Sequence, residues 1–182
     1  MFNHYVAKPN NNIITAVRNP AGAQDLIKHL RVKGIDHIDV VISSAGIAKL
    51  NTVEDVPLED DTPLLRKGEK PRFAFISAAS GSIIDMPKYP YPNVSYTASK
   101  ALANVVVHTA GMENEWLITL CIHPGLVQTD MGNMGARAFG LEEAPTTLEN
   151  GRKNTAFLID NETNEEHSEK FYNETIDQIH PW

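Results

Sequence analysis

A chain of 182 residues and 20.1 kDa has the length of one ordinary domain. With 42% hydrophobic and 21% charged residues it can bury a core, which excludes a disordered tail, a collagen-like chain and a disulfide-stapled mini-protein. A single cysteine, Cys121, excludes an internal disulfide and a cysteine-rich zinc site, and a net charge of −7 argues against nucleic acid or anionic membrane as partners. No apolar run reaches the roughly 20 residues that cross a bilayer. The opening MFNHYVAKPNNN lacks the basic and apolar regions of a secretory signal. The expected location is the cytoplasm.

Apolar runs alternate with helical segments along the chain. The β-branched run 13–18 (IITAVR) reads as a strand. Pro20 then opens a segment with Ala23, Leu26, Ile27 and Leu30 on one helical face, stopped near Gly34. Residues 38–44 (IDVVISS) read as a buried strand. Residues 49–71 are polar and proline-bearing, with no long helix expected. Residues 73–77 (FAFIS) form a third strand, followed by a proline-rich loop. The best helix runs from Tyr96 to about Glu113, with Ala101, Leu102, Val105, Val106 and Thr109 as its apolar stripe. Residues 116–122 (WLITLCI) make a fourth strand, with Cys121 as a small buried hydrophobe. A helix from about Pro145 to Ile159, anchored by Leu148, Ala156 and Ile159, and a short strand at Phe171–Tyr172 complete the pattern.

Buried strands separated by helices require right-handed crossovers. The expected fold class is therefore α/β, a Rossmann-like parallel sheet with helices on both faces. Ligands of such sheets lie beyond the carboxyl ends of the strands. Those places read SSAG, SAASGS and HPGLVQT, and SYTASK opens the next helix.

Tyr96 and Lys100 are four residues apart, so on a helix they share a face one turn apart. A phenol with a pKa near ~10 is a poor acid or base at neutral pH. A neighbouring ammonium stabilises the phenolate and lowers that pKa, so the pair can exchange a proton with a carbonyl oxygen. The seven histidines show no H-x-x-x-H or H-E-x-x-H spacing, and no metal site is expected.

The order of motifs, from an apolar strand ending in SSAG through SYTASKALAN to HPGLVQTDMG, resembles the short-chain dehydrogenase/reductase family. EEAPTTLENG and SEKFYNETIDQIHPW are similar to the fungal branch that includes norsolorinic acid ketoreductase-like enzymes. The resemblance implies an NAD(P)-dependent oxidoreductase acting on the carbonyl or alcohol of a small molecule, a secondary-metabolite ketoreductase, with NADP favoured over NAD. It implies that Tyr96 is the general acid/base and that Lys100 lowers its pKa and holds the nicotinamide ribose. Pro124, Gly125, Val127 and Thr129 match the loop over the nicotinamide carboxamide and pyrophosphate. Ser44 and Gly46 match the turn after the strand at 38–44. Arg18 matches the position facing the 2′-phosphate, where a guanidinium suits a phosphate. Relatives pair through the Tyr–Lys helix as homodimers or homotetramers, and Val107 and Ala110 are the residues expected on its outer face.

The departures are equally specific. The sequence contains no T-G-x-x-x-G-x-G turn of the kind that seats dinucleotide phosphates at a helix N-terminus. The chain is therefore expected to be one incomplete domain lacking the first βα unit. The position matching the carbonyl-binding serine is Ala78, with Ser77, Ser80 and Ser82 as neighbours. The alternative expectation is a truncated, catalytically inactive member, a pseudoenzyme or dimerisation partner that cannot bind dinucleotide.

Overall fold

The computed structural model describes residues 5, 8, 30, 32–43, 64–89, 93–161, 168–175 and 177–182. Within them lie β1 (Val40–Ser43), β2 (Arg72–Ile76), α1 (Val94–Glu113), β3 (Ile118–Ile122), α2 (Asp130–Ala138), α3 (Leu148–Asn161), β4 (Lys170–Tyr172) and β5 (Ile179–His180). Two short 3₁₀ turns, Ala79–Gly81 and Met86–Lys88, stand between β2 and α1. The strands form one sheet in the order β1-β2-β3-β4-β5. The first four are mutually parallel, and β5 runs antiparallel to β4. The strand expected at 13–18 and most of the helix expected after Pro20 lie outside the described residues.

The two-residue period of a strand sends alternate side chains to opposite faces. In β2, Phe73 and Phe75 point to one face and Ala74 to the other. In β3, Cys121 goes with the phenylalanines, and Ile118, Leu120 and Ile122 go with Ala74. The first face is covered by Val107 of α1, with Leu65, Leu117 and Phe171 beside it. The second is covered by Leu158 and Ile159 of α3, with Tyr172 beside them. Both faces of β3 are buried along all five residues, which is why its sequence is apolar at every position but Thr119.

The apolar stripe expected on α1 is not the one it buries. Lys100, Asn104, Val107 and Gly111 face the sheet, while Leu102 and Val105 are exposed. Val107, expected on the outer face, is 3% exposed and belongs to the core. The reason lies in what α1 packs against: the turn after β2 supplies polar partners for the upper half of the stripe, so burial there follows hydrogen bonding rather than hydropathy. Leu148, expected as an anchor of α3, is likewise exposed, whereas Ala156 and Ile159 are fully buried.

Two elements were not expected. α2 forms because the Thr129 side chain accepts a hydrogen bond from the Gly132 N–H (3.1 Å), capping its first turn. β5 forms because the chain doubles back after Tyr172, with the Asn173 N–H donating to the Gln178 carbonyl (2.9 Å). Among the described residues, no helix is long and apolar enough to cross a membrane.

Candidate active site

Parallel pairing of Ile76 with Ile122 sets the carboxyl ends of β2 and β3 side by side. The Ser77 N–H extends this ladder by donating to the Ile122 carbonyl (2.8 Å). The SAASGS turn and the HPGLVQT loop therefore leave the sheet at the same edge, where ligands of parallel sheets bind.

The turn lies directly on α1. A Cβ on Gly81 would come within 3.0 Å of Lys100 Cβ and 3.2 Å of Asn104 Nδ2, so a larger residue here would push the turn and α1 apart by a few tenths of an ångström. Asn104 clamps both ends of the turn. Its Oδ1 accepts from Ser77 Oγ (2.6 Å) and its Nδ2 donates to the Gly81 carbonyl (3.3 Å). Tyr96, Lys100 and Asn104 are spaced by four, so the clamp continues the stripe of the Tyr–Lys pair.

Lys100 is 5% exposed, and its Nζ donates to the Ile76 carbonyl at 2.7 Å. The ammonium lies 4.6 Å from the ring centroid of Phe75 and 5.6 Å from that of Tyr96. Burial pulls the amine down to about 8. Burial also pushes the half-buried Tyr96 phenol above its ordinary value. Lys100 was expected to lower that value. In this structure desolvation decides the direction, and the ammonium is engaged by the Ile76 carbonyl.

The lysine makes a pH-dependent prediction. Between about 8 and the ordinary 10.5 the folded chain holds fewer protons at Lys100 than the unfolded chain, so this group makes stability rise with pH across that window. Below about 8 its burial opposes folding in full. Lys100→Met should therefore melt above the wild type at pH 7, and the gap should close as the pH is raised toward 10.5. Thermal unfolding across that range checks the sign, and a variant that melts lower at pH 7 refutes the desolvation account.

The serines divide by environment. The Ser77 hydroxyl is spent on Asn104, and Ser82 is fully buried, accepting the Asp85 N–H (3.0 Å). Ala78 is 8% exposed and has no hydroxyl to offer. Ser80 lies half-buried on the 3₁₀ turn.

In the second loop, burial pulls His123 down to about 3, with the nearby His180 acting in the same direction. Gly125 adopts a left-handed backbone (φ 81°). The side a Cβ would occupy is filled by the Glu174 carboxylate, which accepts from Thr146 Oγ1 (2.6 Å). Val127 forms a parallel bridge with Thr146. Thr129 caps α2 and also donates to the Val127 carbonyl (3.3 Å). Arg18, Ser44 and Gly46 lie outside the described residues.

A dinucleotide is tested here by the donor set. The Lys100 ammonium has three N–H donors and gives one to Ile76, with no further acceptor among the described residues. The remaining donors, 5.6 Å from the Tyr96 ring centroid, suit the vicinal hydroxyls of a ribose. The residues present fit the group at this end.

No family model matches the chain. A short-chain dehydrogenase, RED3, of Pyricularia oryzae is 33% identical over 92% of this chain and 74% of its own length. The chain belongs to the short-chain dehydrogenase/reductase family. A second member, the norsolorinic acid ketoreductase of Aspergillus parasiticus, is 31% identical over 97% of this chain and 74% of its own length. Among solved structures, the NADPH-bound carbonyl reductase from chicken fatty liver superposes with a TM-score of 0.75 at 23% identity, covering 100% of this chain and 81% of that one. The carbonyl reductase Sniffer of D. melanogaster gives 0.72 at 18%, covering 93% and 77%. These structural likenesses show the fold, and the chain is shorter than these family members.

The sequence did not point to Asn104, Glu174, Asp85 or His180. Asn104 had a signal in its spacing of four from Lys100. Glu174 and the Asp85–His180 pair act through contacts with residues remote in sequence.

Proposed function

We propose that this short-chain dehydrogenase/reductase reduces the ketone of a small secondary metabolite, with NADPH preferred over NADH. The observation that carries the proposal is the buried Lys100 beside Tyr96 at the sheet edge, with donors left over for a ribose. The names of the relatives support a ketoreductase, and the NADPH-bound carbonyl reductase supports the cofactor.

When bound, the dinucleotide supplies the hydride. Tyr96 supplies the proton: its hydroxyl donates to the carbonyl oxygen as negative charge develops there. Burial pushes this phenol above its ordinary value, so it is protonated at neutral pH and available as a donor. Lys100 holds the ribose hydroxyls and, below about pH 8, places a positive charge near the phenolate left after proton transfer. Asn104 fixes the turn that borders the carbonyl, and Ser80 is the serine of that turn whose hydroxyl is free to orient the substrate. Arg18 is assigned to the 2′-phosphate and Pro124–Thr129 to the carboxamide end.

A specific observation favours a second reading. Ala78 stands where the family's carbonyl-binding serine is expected, and the adjacent Ser77 hydroxyl is committed to Asn104. On that reading the chain is an inactive member or a dimerisation partner.

Thermal unfolding with saturating NADPH and NADH separates the two. A ligand that binds only the folded state at 100 times its Kd stabilises by about 2.7 kcal/mol. That corresponds to an upward shift of roughly 5–10 °C for a chain of this size. The expected result is such a shift with NADPH and a smaller one with NADH. A cooperative transition that neither nucleotide moves would support the second reading.

A further inference from the structure

The loop between the two 3₁₀ turns presents apolar side chains to solvent: Ile83 is 65% exposed, Ile84 67% and Met86 41%. Its one carboxylate is buried instead. The Asp85 side chain is 6% exposed, and a carboxylate so placed needs partners for its charge. Two partners meet it. Oδ1 accepts from Lys88 Nζ (2.7 Å) on the solvent side, and Oδ2 lies 2.9 Å from Nδ1 of His180 on the inner side. The hydrogen bond from His180, followed by that from Lys88, holds the Asp85 carboxyl below its usual range. An ionised Asp85 assigns the Nδ1 proton to His180.

His180 comes from a different part of the chain. It is the second residue of β5, paired with Phe171 of β4, and its side chain is also 6% exposed. Its ring lies 4.9 Å from Phe171 and 5.9 Å, edge-on, from His123, the first residue of the HPGLVQT loop. From the C-terminal strand, one imidazole thus meets three segments: the loop leading into α1, the loop after β3 and β4. β5 itself has only two residues, so little ladder bonding holds it. The polar link to Asp85 spans 95 positions of sequence.

We infer that His180 is a positioning residue that fastens the Asp85–Tyr89 loop to the C-terminal strand, making this loop a fixed wall of the substrate site and the last residues of the chain part of its frame. The bearing on turnover rests on the ketoreductase reading above, whereas the fastening does not. A purely structural pair would stabilise the whole sheet alike. A positioning pair orders one loop and acts on substrate binding more than on the chemical step.

Hydrogen exchange on the full chain reads this directly, comparing wild type with Asp85→Asn, His180→Gln and the exchanged pair Asp85→His with His180→Asp. The expected result is that amides of residues 83–89 exchange at least about tenfold faster in each single variant while β2 and β3 keep their protection, and that the exchanged pair recovers most of the loss. With a ketone substrate, KM should rise several-fold while kcat changes less. Unchanged exchange of the loop in both single variants overturns the inference. So does a loss of protection spread evenly over the sheet. If wild type shows no turnover, the exchange result still decides the fastening, and the failure falls on the ketoreductase reading alone.

Discussion

Replacing Tyr96 with phenylalanine should lower ketone reduction by about 10²- to 10⁴-fold, the range a positioned general acid supplies. The substitution removes one oxygen and leaves the ring in place, so the packing of α1 and the ring face seen by Lys100 persist. NADPH should still raise the melting temperature of the variant, because the Lys100 donors assigned to the ribose remain. Steady-state turnover and thermal shift measured on the same sample separate chemistry from binding. Turnover that survives the change intact refutes Tyr96 as the proton donor.

Gly125→Ala is expected to lower stability through two separable contributions, backbone strain and a side-chain collision. A residue with a Cβ at φ 81° is strained by roughly 1–2 kcal/mol. The new Cβ also runs into the Glu174 carboxylate and Thr146 Oγ1, so the hydrogen bond between those two must break, adding roughly 1–3 kcal/mol. At about 2–4 °C per kcal/mol, the melting temperature should fall by roughly 5–15 °C. A background of Glu174→Ala removes the collision with the carboxylate but keeps the backbone strain and the approach of Thr146 Oγ1. In that background Gly125→Ala should therefore cost about half as much, in proportion to those two contributions. Equal losses in both backgrounds would mean that Glu174 plays no part in the need for glycine. The measurement bears on function because the family resemblance gives Gly125 a cofactor-facing role, whereas its contact in this structure is with the chain's own carboxylate.

Much of the scaffold was legible because its strands are local and unambiguous. The run 118–122 is apolar at every position but Thr119 because both faces of β3 are covered, and the strand at 72–76 announces itself by β-propensity between proline and serine punctuation. The Tyr96–Lys100 pair was legible because a spacing of four fixes a shared helix face wherever the helix lies. α1 was correctly placed yet its buried stripe was misread, since Lys100 and Asn104 are polar and are buried by hydrogen bonds to the turn after β2. α2 was missed because its nine residues begin at a threonine cap whose partner, Gly132, gives no hydropathy signal. Glu174, Asp85 and His180 left no trace, because each acts on a residue far away in the chain.

By itself, the sequence determined the α/β class, the order and approximate limits of the main strands and helices, and the pairing of a tyrosine with a lysine at a helix start. These depend on periodicity and short-range spacing, which are properties of neighbouring residues. Only the tertiary structure decided the direction in which burial acts on the site. Desolvation of α1 against β2 pulls Lys100 down and pushes Tyr96 up, which their spacing alone does not reveal. It also decided which serine hydroxyls are spent, what fills the space beside Gly125, and that the C-terminal strand reaches back to Asp85. Desolvation and long-range contacts set these outcomes, and both depend on what surrounds a residue in space rather than on what flanks it in the chain.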